Sequence, residues 1–213
     1  MKKIRGHRRI WRKIPYWIEV NKSLDIVYLK ERQRDYAKIR IHPWGGIYSS
    51  FYQIPEPKRE TKAKILQGLI KIYDSWEEEL DKIQENYYLK IWLFEPRFSF
   101  SQVVCSIGDC LNFYDNTFFK PEYSKKLNPK NYGRLEKEVS KFNWEYRLDE
   151  DHFDANEIGN PEDFISLKAF KENEKRFNKI MKKPHRITKY SSPIGVANES
   201  YSFKKGDVWI GQK

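Results

Sequence analysis

Residues 87–94 read YYLKIWLF, an apolar run that is interrupted by a single lysine. A short run rich in Tyr, Ile, Trp and Phe is typical of a strand that is buried on both faces. Two more strands are predicted directly after it, over residues 98–107 and 111–118, with Gly108 and Asp109 at the turn between them. Close succession with short turns favours antiparallel pairing, so this region predicts an antiparallel sheet.

Two long stretches with helical periodicity lie on either side of these strands in the sequence. Between residues 60 and 84 the apolar side chains recur at spacings of three and four and trace one stripe. A second helix is predicted over residues 161–183. Asn160 can cap its start, Pro161 suits its first turn and Pro184 stops it.

Shorter patterns extend the predicted sheet. Apolar and polar residues alternate over residues 36–41 and 142–148, as in half-buried strands, and a turn with a short final strand is predicted over residues 203–210. We therefore expect an α+β fold, with an antiparallel or mixed sheet of about four to six strands. The helices near residues 60–84 and 161–183 are expected to flank that sheet.

The chain length of 213 residues fits one large domain. We expect a single domain over residues 1–213, with residues 1–12 as a basic N-terminal arm and residues 184–213 as an extended C-terminal segment, both of them possible appendages. Cys105 and Cys110 do not make a disulfide framework, so a reducing cytoplasm is the default location. No apolar segment of the sequence is long enough to span a membrane, and we expect no membrane partner.

The composition is strongly basic. The chain carries 41 Lys and Arg against 30 Asp and Glu, a formal net charge of +11, and 16% of its residues are aromatic. Fixed positive charge beside flat rings suits an anionic partner that has bases to stack on. Codon supply in an AT-rich genome, or solubility alone, would account for part of the same excess.

The predicted nucleic-acid contacts are basic side chains near the two ends of the chain. They are Lys2, Lys3, Arg5, Arg8, Arg9, Arg12 and Lys13 in the first set, and Lys179, Lys182, Lys183, Arg186 and Lys189 in the second. Phosphate contacts of this kind give salt-dependent, sequence-tolerant binding. We expect the two sets to meet in one positive surface. The alternative is that each set is a solvated helix face or a mobile terminus, with Trp11 and Trp17 as core anchors.

An acidic cluster follows the predicted strand at residues 142–148. Asp149, Asp151, His152 and Asp154 could bind a divalent cation through hard oxygen ligands, and such an ion could activate water for hydrolysis. The alternative is a solvated acidic loop. The sequence contains no H-E-x-x-H, P-loop or G-x-G-x-x-G motif, so we expect no cofactor apart from that possible cation, and enzyme activity is not favoured.

Three hypotheses for the function follow. The first is a basic, aromatic-rich intracellular protein that contacts nucleic acid through its basic termini. The second is a non-enzymatic protein-interaction module of immunity or antitoxin type, which would mask an acidic partner protein. The third is a metal-dependent hydrolase that uses the cluster at residues 149–154.

Overall fold

The computed structural model of the protein describes residues 7–47, 57–111, 124–154, 161–191 and 197–213. The chain divides into two compact units. The first comprises Met1–Arg147 with Asp207–Lys213, and the second comprises Leu148–Gly206. The single-domain organisation expected from the sequence stays a prediction.

The described helices and strands form an α+β fold with a six-stranded antiparallel sheet, as the sequence predicted. The strands are β1 (Ile39–Ile41), β2 (Tyr87–Glu95), β3 (Gln102–Ile107), β4 (Asn143–Asp154), β5 (His185–Ser191) and β6 (Ala197–Gln212). Their order is β1-β3-β2-β6-β4, and β5 pairs with β6. The helices are α1 (His7–Asn21), α2 (Ile26–Glu31), α3 (Pro43–Ile47), α4 (Arg59–Leu80), α5 (Glu136–Val139) and α6 (Leu167–Met181).

Strand β2 is the central strand of the first unit. Ile91 pairs with Val103 of β3 on one side and with Gly211 of β6 on the other. Leu89, Ile91 and Leu93 point into the main core, whereas Tyr88 and Trp92 belong to a second apolar cluster. Alternating side chains of a strand point to opposite faces, so β2 is buried on both faces as predicted.

Helix α4 covers the main core of the first unit. Its buried stripe is the predicted one and includes Ile65, Leu69, Ile72, Tyr73 and Trp76. The indole N–H of Trp76 donates to the backbone carbonyl of Asn21 at 2.9 Å, which ties α4 to the end of α1. Burying an apolar stripe of this length is the main source of stability for a helix in a folded protein.

Helix α1 packs against α4 through the side chains of Ile14, Trp17 and Ile18. Pro15 lies inside α1. Proline removes one hydrogen bond from a helix interior. Burial of its neighbours Ile14 and Trp17 offsets this loss, because each large apolar side chain gains about 1.5–3 kcal/mol when it is buried.

Several element boundaries differ from the prediction. Strand β3 begins at Gln102, because residues 98–100 form a 3₁₀ turn. A second 3₁₀ turn, Gly108–Leu111, follows β3, while the rest of the strand predicted over residues 111–118 lies outside the described residues. The acidic run at residues 149–154 belongs to strand β4 rather than to a loop.

The C-terminal residues form a longer strand than the predicted one at 203–210. The last part of β6, from Asp207 to Gly211, pairs with β2 in the first unit. In the second unit, β6 pairs with β5 from Ala197 to Phe203. The helix predicted from residue 161 is a 3₁₀ turn at Pro161–Asp163 and then α6, whose N-cap Ser166 accepts a hydrogen bond from the backbone N–H of Ala169.

Candidate functional site

One face of α1 carries a row of cations. Arg9, Arg12 and Lys13 stand at positions i, i+3 and i+4, which places them side by side on the helix surface. None of the three forms an ion pair with another described residue. Of the other members of this basic set, Lys2, Lys3 and Arg5 lie outside the described residues, and Arg8 belongs to α1 without a described side chain.

The two tryptophans of α1 make contacts within the protein that stabilise the fold. Trp17 is only 3% exposed and lies in the main core. The indole N–H of Trp11 donates to the Oγ1 atom of Thr61 at 3.1 Å, and the ammonium group of Lys64 lies 4.9 Å from the centre of its ring. Both rings are therefore engaged by the protein, which supports their interpretation as core anchors.

The second basic set lies in the second unit and is partly neutralised. Arg186 pairs with Glu150 at 3.0 Å, and Lys189 pairs with Glu199 at 3.1 Å. The remaining members, Lys179, Lys182 and Lys183, are exposed at the end of α6 and form no ion pair with a described residue. The meeting of the two basic sets in one surface stays a prediction.

The residues of the acidic cluster are not gathered around one point. Asp149 and Asp151 alternate with His152 along β4, so they point to the opposite face of the strand. Asp151 pairs with Lys205 at 2.7 Å, whereas Nδ1 of His152 lies 2.9 Å from the hydroxyl of Ser202. The side chain of Asp154 is not described.

Metal binding by this cluster therefore gains no geometric support. In the part of the chain that the structure describes, no group of three or more His, Cys, Asp or Glu side chains could hold a metal ion. The interpretation of the cluster as a metal site stays a prediction, and we do not develop it further.

The first unit contains a basic cleft that the sequence did not predict. Its volume is about 780 Å³. It is lined by Pro57, Lys58, Arg59, Lys62, Glu95, Lys125, Lys126, Leu127, Asn128, Asn131, Tyr132 and Trp209. Five cations face one carboxylate in this lining, so the cleft concentrates a positive potential.

Ion pairs hold two of these cations in place. The Nζ atom of Lys62 lies 2.8 Å from Oε2 of Glu95, and the Nζ atom of Lys125 lies 2.8 Å from Oδ2 of Asp207. The Lys125 ammonium group also lies 5.2 Å from the centre of the Trp209 ring.

The other three cations give the cleft a net positive charge. Lys58, Arg59 and Lys126 are exposed and form no ion pair with any residue that the structure describes. Their charges are therefore uncompensated inside the cleft, in contrast to those of Lys62 and Lys125.

A second cleft, of about 660 Å³, adjoins the basic cleft and shares Arg59, Asn131 and Tyr132 with it. Trp11 of α1 lines this second cleft, together with Lys64 and Arg134 among others. The cation-bearing helix α1 therefore borders the second cleft through Trp11. We call α1 and the two clefts together the basic surface of the first unit.

Tyr132 lines both clefts. Burial raises the pKa of Tyr132, and the negative charge of Glu95 raises it further. The phenol therefore remains protonated at neutral pH.

Sequence reasoning missed the cleft because its cations come from distant parts of the chain. Lys58 and Arg59 form one basic pair at the start of α4, and Lys125 and Lys126 form another more than 60 residues later. The only local signal was the pairing of cations beside turn residues. Their meeting depends on tertiary packing, which local patterns do not report.

Comparison with known proteins identifies no relative. No family model, no curated protein and no solved structure matches this chain. Among the described residues, no helix has the length and apolar character that a membrane span requires.

Proposed function

We propose that this protein binds nucleic acid through the basic surface of its first unit. The observation that carries the proposal is the lining of the basic cleft, where Lys58, Arg59 and Lys126 form no ion pair with a described residue. A phosphate backbone is the polymer that such a surface fits, because cations without protein partners can each neutralise one phosphate.

The cations of α1 extend this surface. Arg9, Arg12 and Lys13 lie next to one another although like charges at this spacing destabilise a helix by a few tenths of a kcal/mol. Trp11 on the same helix lines the second cleft, whereas Arg9 and Lys13 lie about 160° around the helix from Trp11 and line neither cleft.

The proposal is tested by fluorescence anisotropy with a labelled single-stranded oligonucleotide and a labelled duplex. Two triple variants, each losing three positive charges, are compared with the unmodified protein. One is Arg9→Gln/Arg12→Gln/Lys13→Gln, and the other is Lys71→Gln/Lys82→Gln/Lys141→Gln, whose exposed lysines line neither cleft.

We expect the α1 variant to lose about tenfold or more in affinity and the control variant to lose much less, since removing one charged hydrogen bond weakens binding by about 1.5–3 kcal/mol. Equal losses in the two variants would show that net charge, rather than this surface, determines binding. No binding at low salt would contradict the proposal.

The protein-interaction hypothesis is a second candidate, favoured by one observation in the second unit. Ile165 and Leu167, before and at the start of α6, are strongly exposed. Exposed apolar side chains that lie close together are typical of protein interfaces. Purification at low salt separates the two candidates: a stoichiometric protein without nucleic acid absorbance favours the second, and bound nucleic acid favours the first.

A further inference from the structure

We infer that the basic cleft is a binding site for a phosphate monoester, the group found at the end of a nucleic-acid strand or in a free nucleotide. The inference deepens the proposed function, on which it rests for the source of the phosphate. It is carried by the cleft itself, by three cations without an ion-pair partner among the described residues, and by the beginning of α4, which lines the cleft.

The size of the cleft suits a ligand larger than a lone ion. A cavity of about 780 Å³ lies within the range of roughly 300–1,000 Å³ that is usual for small-molecule sites. Its lining includes Tyr132 and Trp209, both largely buried, beneath the exposed cations. The cleft therefore has an apolar base and a charged rim.

The three cations are suited to a phosphate group. Lys58, Arg59 and Lys126 are exposed and have no ion-pair partner within the described ranges. A guanidinium group can donate two parallel hydrogen bonds to a phosphate, and each ammonium group adds a mobile charge. A monoester carries more charge than an internal diester and offers three terminal oxygens, so it uses this set more fully.

The beginning of α4 adds donors on the same side of the cleft. Lys58 is the N-cap of this 22-residue helix, and its side chain makes no capping hydrogen bond. The first intrahelical bond at this end runs from the N–H of Lys62 to the carbonyl of Lys58 at 2.9 Å. The N–H groups of Arg59 and Glu60 lie in the first turn, where a helix leaves N–H groups without internal acceptors, and such groups favour an anion.

The lining also contains a donor that the protein does not satisfy. Trp209 is 8% exposed, and its indole N–H is buried without a hydrogen-bond acceptor among the residues described. A buried donor that lacks an acceptor is costly, and buried polar groups in folded proteins are nearly always paired. Because this N–H is closed to solvent, it belongs to the buried base of the cleft and is not counted among the groups that contact a ligand.

The aromatic residues do not offer a stacking surface for a base. The ring of Trp209 lies under the ammonium group of Lys125, which Asp207 holds in place. Tyr132 is largely buried. Recognition in this cleft therefore depends on phosphate oxygens, and it is expected to be independent of the base.

The experiment compares two labelled oligonucleotides of one sequence, with and without a 5′-phosphate, against the full chain. Inorganic phosphate and a nucleoside 5′-monophosphate serve as competitors. The cleft variant is Arg59→Gln/Lys126→Gln, and the matched control is Lys71→Gln/Lys82→Gln, which removes the same charge from exposed positions of the first unit outside both clefts. Thermal unfolding verifies that all variants fold.

We expect the phosphorylated strand to bind about tenfold more tightly, inorganic phosphate to compete, and the cleft variant alone to lose the preference. If the nucleoside monophosphate competes as strongly as the phosphorylated strand, a free nucleotide is the source of the bound phosphate. If the monophosphate competes more weakly, the end of a strand is the source. Equal binding of both strands, unaffected by phosphate, would overturn the inference and leave the proposed function standing. Binding of inorganic phosphate without binding of either strand would support the cleft and contradict the proposed function.

Discussion

The indole N–H of Trp11 in α1 donates a hydrogen bond to the hydroxyl of Thr61 in α4, at a distance of 3.1 Å. Thr61 is only 1% exposed, and Trp11 is partly buried against the main core. The bond joins the cation-bearing helix to the helix whose first turn lines the basic cleft. It therefore fixes where the charges of α1 lie within the first unit.

Replacing the Thr61 hydroxyl tests this link. In Thr61→Val the indole N–H loses its acceptor in a partly buried setting, and we expect the free energy of unfolding to fall by about 1–3 kcal/mol. Thr61→Ser keeps the hydroxyl and should lose less. Urea denaturation measures both variants. A serine variant as unstable as the valine variant would show that packing, and not the hydrogen bond, holds the helices together.

Gly211 in β6 is expected to tolerate no side chain. A Cβ atom at this position would lie 2.6 Å from the Trp144 ring. That ring has little freedom to move, because its N–H donates to the carbonyl of Val139 at 2.9 Å. We expect Gly211→Ala to destabilise the protein by about 1–3 kcal/mol through overpacking, measured by urea denaturation.

A double variant tests the cause of that loss. Gly211→Ala/Trp144→Leu makes room for the new methyl group. If the alanine still costs as much in the Trp144→Leu background as in the unmodified protein, the close approach to Trp144 is not the cause.

Cys105 should make stability depend on alkaline pH. Its side chain is fully buried in β3, and burial raises the pKa of the thiol to about 12. In the unfolded chain a cysteine thiol has a pKa of about 8.5. Above that pH the unfolded chain loses the proton while the folded protein keeps it, so stability is full below about pH 8.5 and falls as pH rises toward 12.

Two measurements assess this behaviour. The native protein should not react with a thiol reagent at Cys105 near pH 8, and denaturant should expose the thiol. Cys105→Ala should show a smaller loss of stability between pH 8.5 and pH 11 than the unmodified protein. Rapid labelling of Cys105 in the native state would contradict its burial.

Lys213 is expected to stabilise the first unit through two carboxylates. Its Nζ atom lies 2.6 Å from Asp74 and 2.8 Å from Glu77 of α4, and 5.3 Å from the centre of the Tyr73 ring. Desolvation lowers the pKa of Lys213, but hydrogen bonds to the two carboxylates outweigh it and raise the pKa overall. This stabilisation is therefore complete below the ordinary lysine pKa and is lost as pH rises through the raised value.

We expect Lys213→Met to lower the free energy of unfolding by up to about 1 kcal/mol at neutral pH, since the partners are partly exposed and screened. The loss should shrink in high salt. If the loss of unfolding free energy does not change with salt, packing of the Lys213 side chain on the ring, and not its charge, causes the loss.

The central strand could be predicted from its sequence because its signal is local. Tyr87–Glu95 is apolar on both faces, and its composition alone indicates a doubly buried strand. The end of α4 was predicted less well: the apolar stripe reaches Ile83, but the helix ends at Leu80. The apolar periodicity continues through the short turns that follow α4. It therefore does not show where the last helical hydrogen bond of α4 lies.

The length of β6 and the basic cleft could not be predicted in this way. Lys204, Lys205 and Gly206 have the composition of a turn, yet they continue β6, whose preceding residues are held by a ladder with β5. The cleft depends on Arg59 and Lys126, which are far apart in the chain. Both features depend on contacts between residues that are far apart in the chain, and a short stretch of sequence does not reveal such contacts.

The salt dependence of binding tests the central claim most directly. Affinity for a single-stranded oligonucleotide is measured from about 50 to 200 mM salt for the unmodified protein and for Lys58→Gln/Arg59→Gln/Lys126→Gln. We predict a steep linear fall of log affinity with log salt, and a slope that is shallower in the variant by about 0.7 for each phosphate that the variant no longer neutralises. A slope near zero would contradict nucleic-acid binding by the basic surface of the first unit, and the same slope in both proteins would contradict phosphate contacts in the basic cleft.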